Sequence, residues 1–265
     1  MDKTREKLLE TLLETHNRLG VSQSDGYEKH RLYSIITNST AIEGSTLTLA
    51  ENTLMFDEGL TPQGKRVQEQ LMNQDLKRAY DVAREIASAR TRLCIPLLKS
   101  FSSLVMRNTG SIYNTQSGTY DEARGDFRLQ DVSAGRGGHV YPSWEKVEAR
   151  TAEFVSWLNE QLDGLDIMPP SDIYELSFEA HYRLVTIHPW SDGNGRVSRL
   201  LMNLIQMEGC VVPSIVRSEY KAQYIGALAE AEIEGDSRPF LDFMTDELCE
   251  DLSQEIDAYA AKCKL

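Results

Sequence analysis

Apolar residues recur at spacings of three and four along most of this chain, which is the period of an α-helix. The first such stretch covers about residues 4–19, carries leucines on one face and stops at Gly20, a typical helix end. Thr48 and Glu51 have the spacing of a capping box and predict another helix start. Further helices are predicted after the loop at 21–26, Gly64, Pro96, Ser143, Ser171 (as N-cap), the loop at 188–196, Tyr220 and Asp246. The pattern therefore predicts an all-α, mainly helical chain.

One segment, Gly118–Pro142, interrupts the helical period. Short β-prone runs lie on both sides of the turn Gly135-Arg136-Gly137-Gly138, a pattern that indicates a β-hairpin. A plain surface loop is the alternative. The turn is glycine-rich, but the phosphate-loop sequence G-x-x-x-x-G-K-[ST] is absent, so a P-loop is not expected.

Composition and charge narrow the function classes. The chain has 265 residues, enough for one large domain or two small ones, with 41% hydrophobic and 26% charged residues. A net charge of −13 argues against nucleic-acid binding, which needs basic surface. Four widely spaced cysteines form no C-x-x-C pair, and no stretch approaches the ~20 apolar residues of a membrane span. With no apolar leader core either, we expect a cytoplasmic protein without nucleic-acid or membrane partners.

The run from His188 to Arg199 holds the most specific chemistry. Apolar spacing from Val197 onward starts a helix directly after Gly193-Asn194-Gly195, so these amides are expected at the helix N-terminus, where free N–H groups bind anions. Arg196 and Arg199 add guanidiniums suited to phosphate. This arrangement predicts a phosphoryl-transfer centre.

Three side chains in this run have expected catalytic roles. His188 is the candidate general base, because imidazole titrates near neutrality. Asp192 is the candidate Mg²⁺ ligand, since Mg²⁺ binds one or two carboxylates together with substrate phosphates. Asn194 and the glycine amides beside it would stabilise charge on the transferred phosphate.

These twelve residues resemble the signature of the Fic family, H-P-F-x-[DE]-G-N-G-R-x-x-R, with Trp190 in place of the usual Phe. The resemblance implies an α-helical Fic fold with a small β-hairpin flap near the active site. It also implies an adenylyltransferase that moves AMP from ATP-Mg²⁺ to a protein hydroxyl. In the family the first arginine contacts the phosphate chain and the second the γ-phosphate, which implies Arg196 and Arg199 here.

An upstream segment, Ser39-Thr40-Ala41-Ile42-Glu43-Gly44, has two interpretations. Alone, it would be an ordinary helix start with Ser39 as its cap. Beside the motif it resembles the family's inhibitory sequence [ST]-x-x-x-E-[GN], in which the glutamate pairs with the second motif arginine. That implies autoinhibition in cis, with Glu43 competing with the γ-phosphate for Arg199 until the N-terminal helix moves or the oligomer changes.

The resemblance extends to other parts of the chain. The flap, about 126–142, would dock a target protein by strand addition and hold its Ser, Thr or Tyr hydroxyl toward His188. Tyr220 and Tyr224 are candidates for the nucleobase pocket, although tyrosines four apart on a helix are more often packing residues. His181 is expected to be a partly buried structural histidine. Self-modification and a homodimer are further expectations from the family.

The predicted organisation has three parts: an N-terminal helical region (1–94), a catalytic core (95–247) and a C-terminal helix (248–265). Several functions compete on the same fold, namely removal of AMP from a modified target, kinase-like transfer, and transfer of UMP or phosphocholine. Gly195 and Arg196 argue against the kinase-like variant. A non-catalytic nucleotide-binding or scaffolding protein is the alternative of a different class.

Overall fold

The structure, a computed structural model, describes residues 2–133 and 140–263. It confirms a mainly helical fold with one small antiparallel hairpin. The helices are α1 (Lys3–Leu19), α2 (Tyr27–Ile42), α3 (Leu49–Glu58), α4 (Val67–Ala89), α5 (Ile95–Val105), α6 (Val147–Leu162), α7 (Pro170–Ile187), α8 (Asn194–Glu208), α9 (Lys221–Glu234) and α10 (Arg238–Cys263). Strands β1 (Ile112–Thr115) and β2 (Gly118–Asp121) pair with Tyr113 opposite Tyr120.

Several predicted helix ends are confirmed by their capping contacts. Helix α1 ends at Gly20, whose φ of +69° favours glycine. Thr48 and Glu51 form the predicted reciprocal capping box at the start of α3. The N-cap of α7, in contrast, is Pro169 and not Ser171, because the helix already begins at Pro170, where a missing N–H costs nothing.

Helix α8 runs through the centre of the molecule. All its residues except Gly195 and Met207 are buried, and helices α4 and α7 pack along it. The surrounding apolar cluster includes Trp190 and Leu200, both fully buried. Because the body of α8 is enclosed, this helix meets solvent near its two ends, at Gly195 in its first turn and at Met207 in its last.

A second apolar cluster joins the two ends of the chain. It brings Leu9 of α1 and Leu248 of α10 together with Tyr174 and Phe178 of α7. Helix α2 takes part in both clusters, through Ile36 in the first and Ile42 in the second. The N-terminal helices therefore pack directly on the helices that flank α8.

Two further local predictions need correction. Ser39 lies inside α2, close to its C-terminus, and does not cap a helix start. The helix predicted for the tail begins at Arg238, so residues 248–263 continue a helix that has already begun. The division into three parts remains a prediction.

The flap segment, residues 126–142, forms a second and shorter pairing. The regular hairpin is the upstream pair β1–β2, whereas the described residues of the flap segment show an antiparallel bridge between Ser133 and Val140 and a bond from Tyr141 N to Val132 O. Residues 134–139, which contain the predicted glycine turn, lie outside the described residues. Backbone hydrogen bonds between the two described arms do not continue beyond this pairing, because a side chain occupies their carbonyl groups. The Arg128 guanidinium donates to the carbonyls of Gln130 and Pro142.

Among the described residues, no helix is both long and apolar enough to cross a membrane.

Candidate active site

His188 lies at the C-terminal end of α7, as predicted. Its backbone has φ +52°, the left-handed conformation that ends the helix and turns the side chain out of the helical path. Its Nδ1 lies 3.2 Å from the carbonyl oxygen of Val185. Because a carbonyl only accepts, Nδ1 carries the hydrogen, and Nε2 is left as the basic nitrogen.

The ring of Tyr141 covers the imidazole of His188. The two ring centroids are 3.7 Å apart and the planes differ by 17°. Burial, opposed by the hydrogen bond to Val185 and reinforced by the charge of Arg128, lowers the pKa of His188 to about 4. The histidine is therefore neutral at pH 7 and able to accept a proton.

The loop after His188 is fixed by Trp190 and Asn194. The buried indole of Trp190 donates from Nε1 to Gly125 O at 3.0 Å. The Asn194 side chain accepts from Trp190 N at 3.0 Å and donates to Trp190 O at 2.8 Å. In this conformation Asn194 holds the loop, and its amide is engaged there instead of facing a phosphate.

The hairpin lies against the same loop. The hydroxyls of Tyr120 in β2 and Ser191 are 2.6 Å apart. The prediction of a hairpin near the active site is therefore confirmed in position, although strands β1 and β2 lie upstream of the segment where we expected it.

The first turn of α8 has the geometry expected of the predicted anion site. Gly193 is its N-cap with φ +82°, and a Cβ there would lie 2.9 Å from the Met106 sulfur, so glycine is required. The N–H groups of Asn194, Gly195 and Arg196 precede the first intrahelical bond, which Val197 donates to Gly193 O at 2.9 Å. The three N–H groups point out of the helix end together with the positive end of its dipole.

Arg196 brings a buried cation to this turn. The residue is 2% exposed, and its Nη2 lies 3.2 Å from the Met106 sulfur and 3.3 Å from Asp192 Oδ1. Its Nε and Nη1 are buried without a hydrogen-bond partner among the described residues. A guanidinium with unused donors is costly to bury, so an anionic ligand would complete its contacts.

The residues around Arg196 enclose a cleft of about 210 Å³. Asp192 lies at its rim with 60% of its side chain exposed, and its Oδ1 accepts from Gly193 N at 2.6 Å. The cleft is lined by Glu43, Gly44, Arg66, Gln68, Glu69, Met72, Thr109, Asp192 and Arg196. Gly44, of the predicted inhibitory segment, thus lies at the cleft directly after α2.

Asp192 suits a magnesium ion only in part. Its exposed carboxylate supplies the hard oxygen that Mg²⁺ prefers, beside a cationic cleft for phosphates. Among the described residues no three His, Cys, Asp or Glu side chains come together as a metal cluster. A cation here would therefore need oxygens from phosphate and water in addition to Asp192.

Arg199 is buried and paired with the upstream segment. Its Nη2 donates to Glu43 Oε1 at 2.7 Å and to Ser39 O at 3.0 Å, and its Nε donates to Ser39 Oγ at 2.8 Å. Burial would raise the pKa of Glu43, but the charges of Arg199 and Arg196 outweigh it and lower that pKa. The predicted contact between Ser39, Glu43 and Arg199 is therefore present in the structure.

The Glu43 carboxylate lies over the first turn of α8. A Cβ placed on Gly195 would be 2.8 Å from Glu43 Oε1 and 3.0 Å from Arg199 Nη1. The absence of a side chain at 195 is thus what allows a carboxylate to approach the anion site so closely.

Of the two predicted nucleobase tyrosines, the structure brings only Tyr224 to this cluster. Its hydroxyl accepts from Arg199 Nη1 at 3.3 Å and lies 2.9 Å from His181 Nε2. His181 is fully buried, more than expected. Tyr220 faces Arg217 and Glu250 instead, outside the cluster.

Arg128 is a site residue that sequence reasoning missed. Its side chain contacts the carbonyl of His188 as well as both arms of the flap segment. An arginine in a loop carries no periodicity, and its partners are backbone atoms, which leave no mark in the sequence.

Comparisons with known proteins agree with this geometry. A model of the Fic/DOC family matches residues 93–206. "Protein adenylyltransferase Fic" of Drosophila mojavensis is 32% identical over 249 residues, which cover 93% of this chain and 44% of that protein. The chain thus spans less than half the length of the curated relatives it matches.

Two solved structures share the fold. Fic-1 (residues 134–508) from C. elegans has a TM-score of 0.76 at 24% identity, covering 98% of this chain and 74% of that chain. A Fic domain containing signaling protein from Bacteroides thetaiotaomicron has a TM-score of 0.74 at 22% identity, covering 98% and 96%. At this identity the likeness concerns the fold alone.

Proposed function

Because this chain carries a Fic/DOC family domain over residues 93–206, we propose that it transfers AMP from ATP to a Ser, Thr or Tyr hydroxyl of a protein. The observation that carries the proposal is the buried Arg196 guanidinium, whose Nε and Nη1 have no partner among the described residues. It lies at the N-terminus of α8, and a neutral histidine ends the preceding helix. Several relatives are named protein adenylyltransferases, which supports AMP as the transferred group.

The chemical step needs few groups. His188 Nε2 takes the proton from the target hydroxyl as its oxygen attacks the α-phosphorus of ATP. A phosphorus–oxygen bond to the target forms, the bond to the β-phosphate oxygen breaks, and pyrophosphate leaves with that electron pair. Arg196 and the N–H groups of the first turn of α8 stabilise the phosphate charge. Asp192 would hold Mg²⁺, which when bound neutralises part of the charge on the phosphates.

Glu43 supports a second part of the proposal, inhibition in cis. Arg199 would bind the γ-phosphate in the productive pose, and its Nη2 is here taken by Glu43 at 2.7 Å. A carboxylate and a phosphate compete for one guanidinium, so ATP binds productively only in the fraction of molecules in which Glu43 has moved away. Basal transfer is therefore low.

The target would bind along the flap segment. Val140 is 68% exposed beside the bridge to Ser133, so this part of the segment lies at the surface, where a target strand could approach it. The neighbouring Tyr141 packs on His188, so a strand added here would be held next to the base.

The test compares wild type, Glu43→Gly and Glu43→Gly/His188→Ala, each incubated with Mg²⁺ and ATP labelled at the α- or the γ-phosphate. Protein-bound label is counted on the chain itself and on proteins of a cell extract. We expect α-label to rise at least about tenfold in Glu43→Gly, because the competing carboxylate is gone. The label should disappear with His188.

The matched control is Glu28→Gly, which removes an exposed carboxylate from the same helix, 3.3 Å from Arg84. It should leave labelling at the wild-type level. Label from the γ-phosphate alone would indicate a kinase, and no label in any variant would contradict AMP transfer. If Glu43→Gly labels no better than wild type while transfer occurs, the inhibitory role of Glu43 is wrong.

A further inference from the structure

We propose that Arg128 is a positioning residue for the transfer, because its guanidinium fixes both arms of the flap segment relative to the catalytic histidine. The inference rests on the proposed function, since the position of the flap relative to His188 matters for transfer only if the flap presents a target hydroxyl to that histidine.

The contacts of Arg128 join three separate pieces of backbone. Its Nε donates to His188 O at 2.8 Å, its Nη1 to Gln130 O at 2.9 Å and its Nη2 to Pro142 O at 2.5 Å. Its own N–H donates to Pro189 O at 3.0 Å. The planar fork of a guanidinium presents donors in several fixed directions, which an ammonium or an amide cannot reproduce.

The Arg128 guanidinium is buried without a close carboxylate partner among the described residues. It is 1% exposed, and Asp131, itself 60% exposed, lies 3.9 Å away. Burial lowers the pKa of Arg128, since the charge is solvated mainly by carbonyl dipoles. The fold tolerates this cation where it can reach all three carbonyls at once.

The bond to Pro142 determines what covers the histidine. Tyr141 directly precedes Pro142, and its ring lies 3.7 Å from the His188 ring. Holding the Pro142 carbonyl therefore holds Tyr141 on the imidazole, while the bond to Gln130 holds the other arm. Arg128 sets the distance between the flap and the base from both sides.

Among the described residues, Tyr141 of the flap stacks on His188, and the charges of Arg128 in the flap, Asp192 in the motif loop and Glu43 at the end of α2 act on it. Arg128 lowers the pKa of His188, whereas Asp192 and Glu43 raise it. Loss of Arg128 removes a cation and lets water reach the ring, and both changes raise the pKa of His188.

The experiment compares Arg128→Met, Arg128→Lys and the control Arg124→Met. Arg124 carries the same charge just before the flap segment, but its side chain is 81% exposed and its acidic partner, Asp121, is 3.5 Å away. The first measurement is an NMR titration of the His188 imidazole, assigned by its absence in His188→Gln. We expect the midpoint to rise by about one pH unit in Arg128→Met. Arg128→Lys should also raise it, because an ammonium cannot hold three carbonyls, and the control should leave it unchanged.

The second measurement is transfer of α-label in the Glu43→Gly background. We expect the rate at saturating ATP to fall about tenfold in both Arg128 variants. The half-saturating ATP concentration should stay the same, since Arg128 does not line the cleft at the start of α8.

Two results would overturn the inference: a wild-type titration and rate in Arg128→Lys, or a midpoint that Arg124→Met raises equally. Should Arg128→Met fail to fold, Arg128→Lys decides alone. The titration does not depend on transfer, so complete absence of label in Glu43→Gly would refute the proposed function while the NMR result still tests Arg128.

Discussion

Gly195 is the residue at which the anion site and the Glu43 carboxylate come closest. A Cβ at this position would meet Glu43 Oε1 at 2.8 Å. Contacts under 3.0 Å force something to move, and the group free to move here is the end of the glutamate side chain. The cost of a methyl group at 195 should therefore depend on whether Glu43 is present.

A double-mutant cycle tests this dependence. Gly195→Ala should lower the free energy of unfolding of wild type by about 1 kcal/mol, but it should be neutral or stabilising in the Glu43→Gly background. The control is Gly226→Ala in α9, where no atom lies within 4 Å of an added Cβ. That change should stabilise both backgrounds by about 0.5–1 kcal/mol, because alanine favours a helix. Urea unfolding measures wild type and these five variants, and additive effects at Gly195 and Glu43 would contradict the close approach.

Site residues were predictable from the sequence where they belong to one short motif. His188, Asp192, Arg196 and Arg199 could be placed together because a loop and one helical turn bring residues of adjacent number to one end of a helix. Arg128 could not, since its contacts span 60 residues and end on backbone carbonyls. Their roles in transfer stay predictions until the variants are measured.

At the scale of elements, α2 is held at its C-terminal end by a buried amide. Asn73 of α4 accepts from Thr40 at 2.7 Å and from Asn52 at 3.0 Å, and its Nδ2 donates to Ser45 at 3.0 Å. These bonds connect α2, α3 and the loop after Glu43 to one side chain. The position of Glu43 thus depends on a residue outside the inhibitory segment.

Asn73→Ala should weaken both the fold and the inhibition. Buried partners lose their bonds, so the free energy of unfolding should fall by about 3 kcal/mol. Transfer of α-label should rise several-fold, since the end of α2 becomes looser. Asn159→Ala is the control, because Asn159 bonds the backbone of Leu93 at 2.9 and 3.1 Å, remote from α2.

Asn159→Ala should destabilise the protein while leaving labelling at the wild-type level. Equal labelling by the Asn73 and Asn159 variants would show that lost stability alone, and not a displaced Glu43, controls transfer.

Helices were predictable as elements because burial on one face imposes a period on the sequence. The short extent of backbone pairing in the flap was not, because its described arms are held by Arg128 as well as by the bridge between Ser133 and Val140. β-prone runs on both sides of a glycine turn indicate a hairpin. They carry no information on which side chain binds the backbone carbonyls of its arms.

At the scale of the whole molecule, Arg31 joins α2 to the C-terminal helix. It is 3% exposed, and its guanidinium lies 2.6 Å from Asp251 and 2.9 Å from Glu255, both in α10. Its Nε donates to Pro213 O at 2.8 Å. Together with Asn73, this ion pair secures α2 at both ends.

Arg31→Met should lower the free energy of unfolding at pH 7 by about 3–5 kcal/mol, because the buried Asp251 and the partly buried Glu255 lose their counter-charge. Burial already raises the pKa of Asp251 against the pull of Arg31. Without Arg31 that pKa rises further, and protonation then removes the unpaired charge. The loss of stability relative to wild type should therefore shrink as the pH falls from 7 toward 5.

Urea unfolding at both pH values measures the effect. The control is Arg84→Met, since Arg84 lies on the surface of α4 with 53% of its side chain exposed. It should change stability by less than about 1 kcal/mol at either pH. A loss for Arg31→Met that does not depend on pH would contradict the ion-pair explanation.

The anchoring of α2 has a consequence for how such a protein can be switched. The helix that carries Glu43 also forms a wall of the hydrophobic core, through Ile35 and Ile36. The inhibitory helix is therefore not a separable segment. Proteolytic removal of α2 would expose the hydrophobic core and unfold the domain that Glu43 inhibits. In the proposed function, activation needs no more than a rotation about the side-chain bonds of Glu43. Homologous proteins with higher or lower transfer rates would then differ by single substitutions near position 43, without gain or loss of a segment.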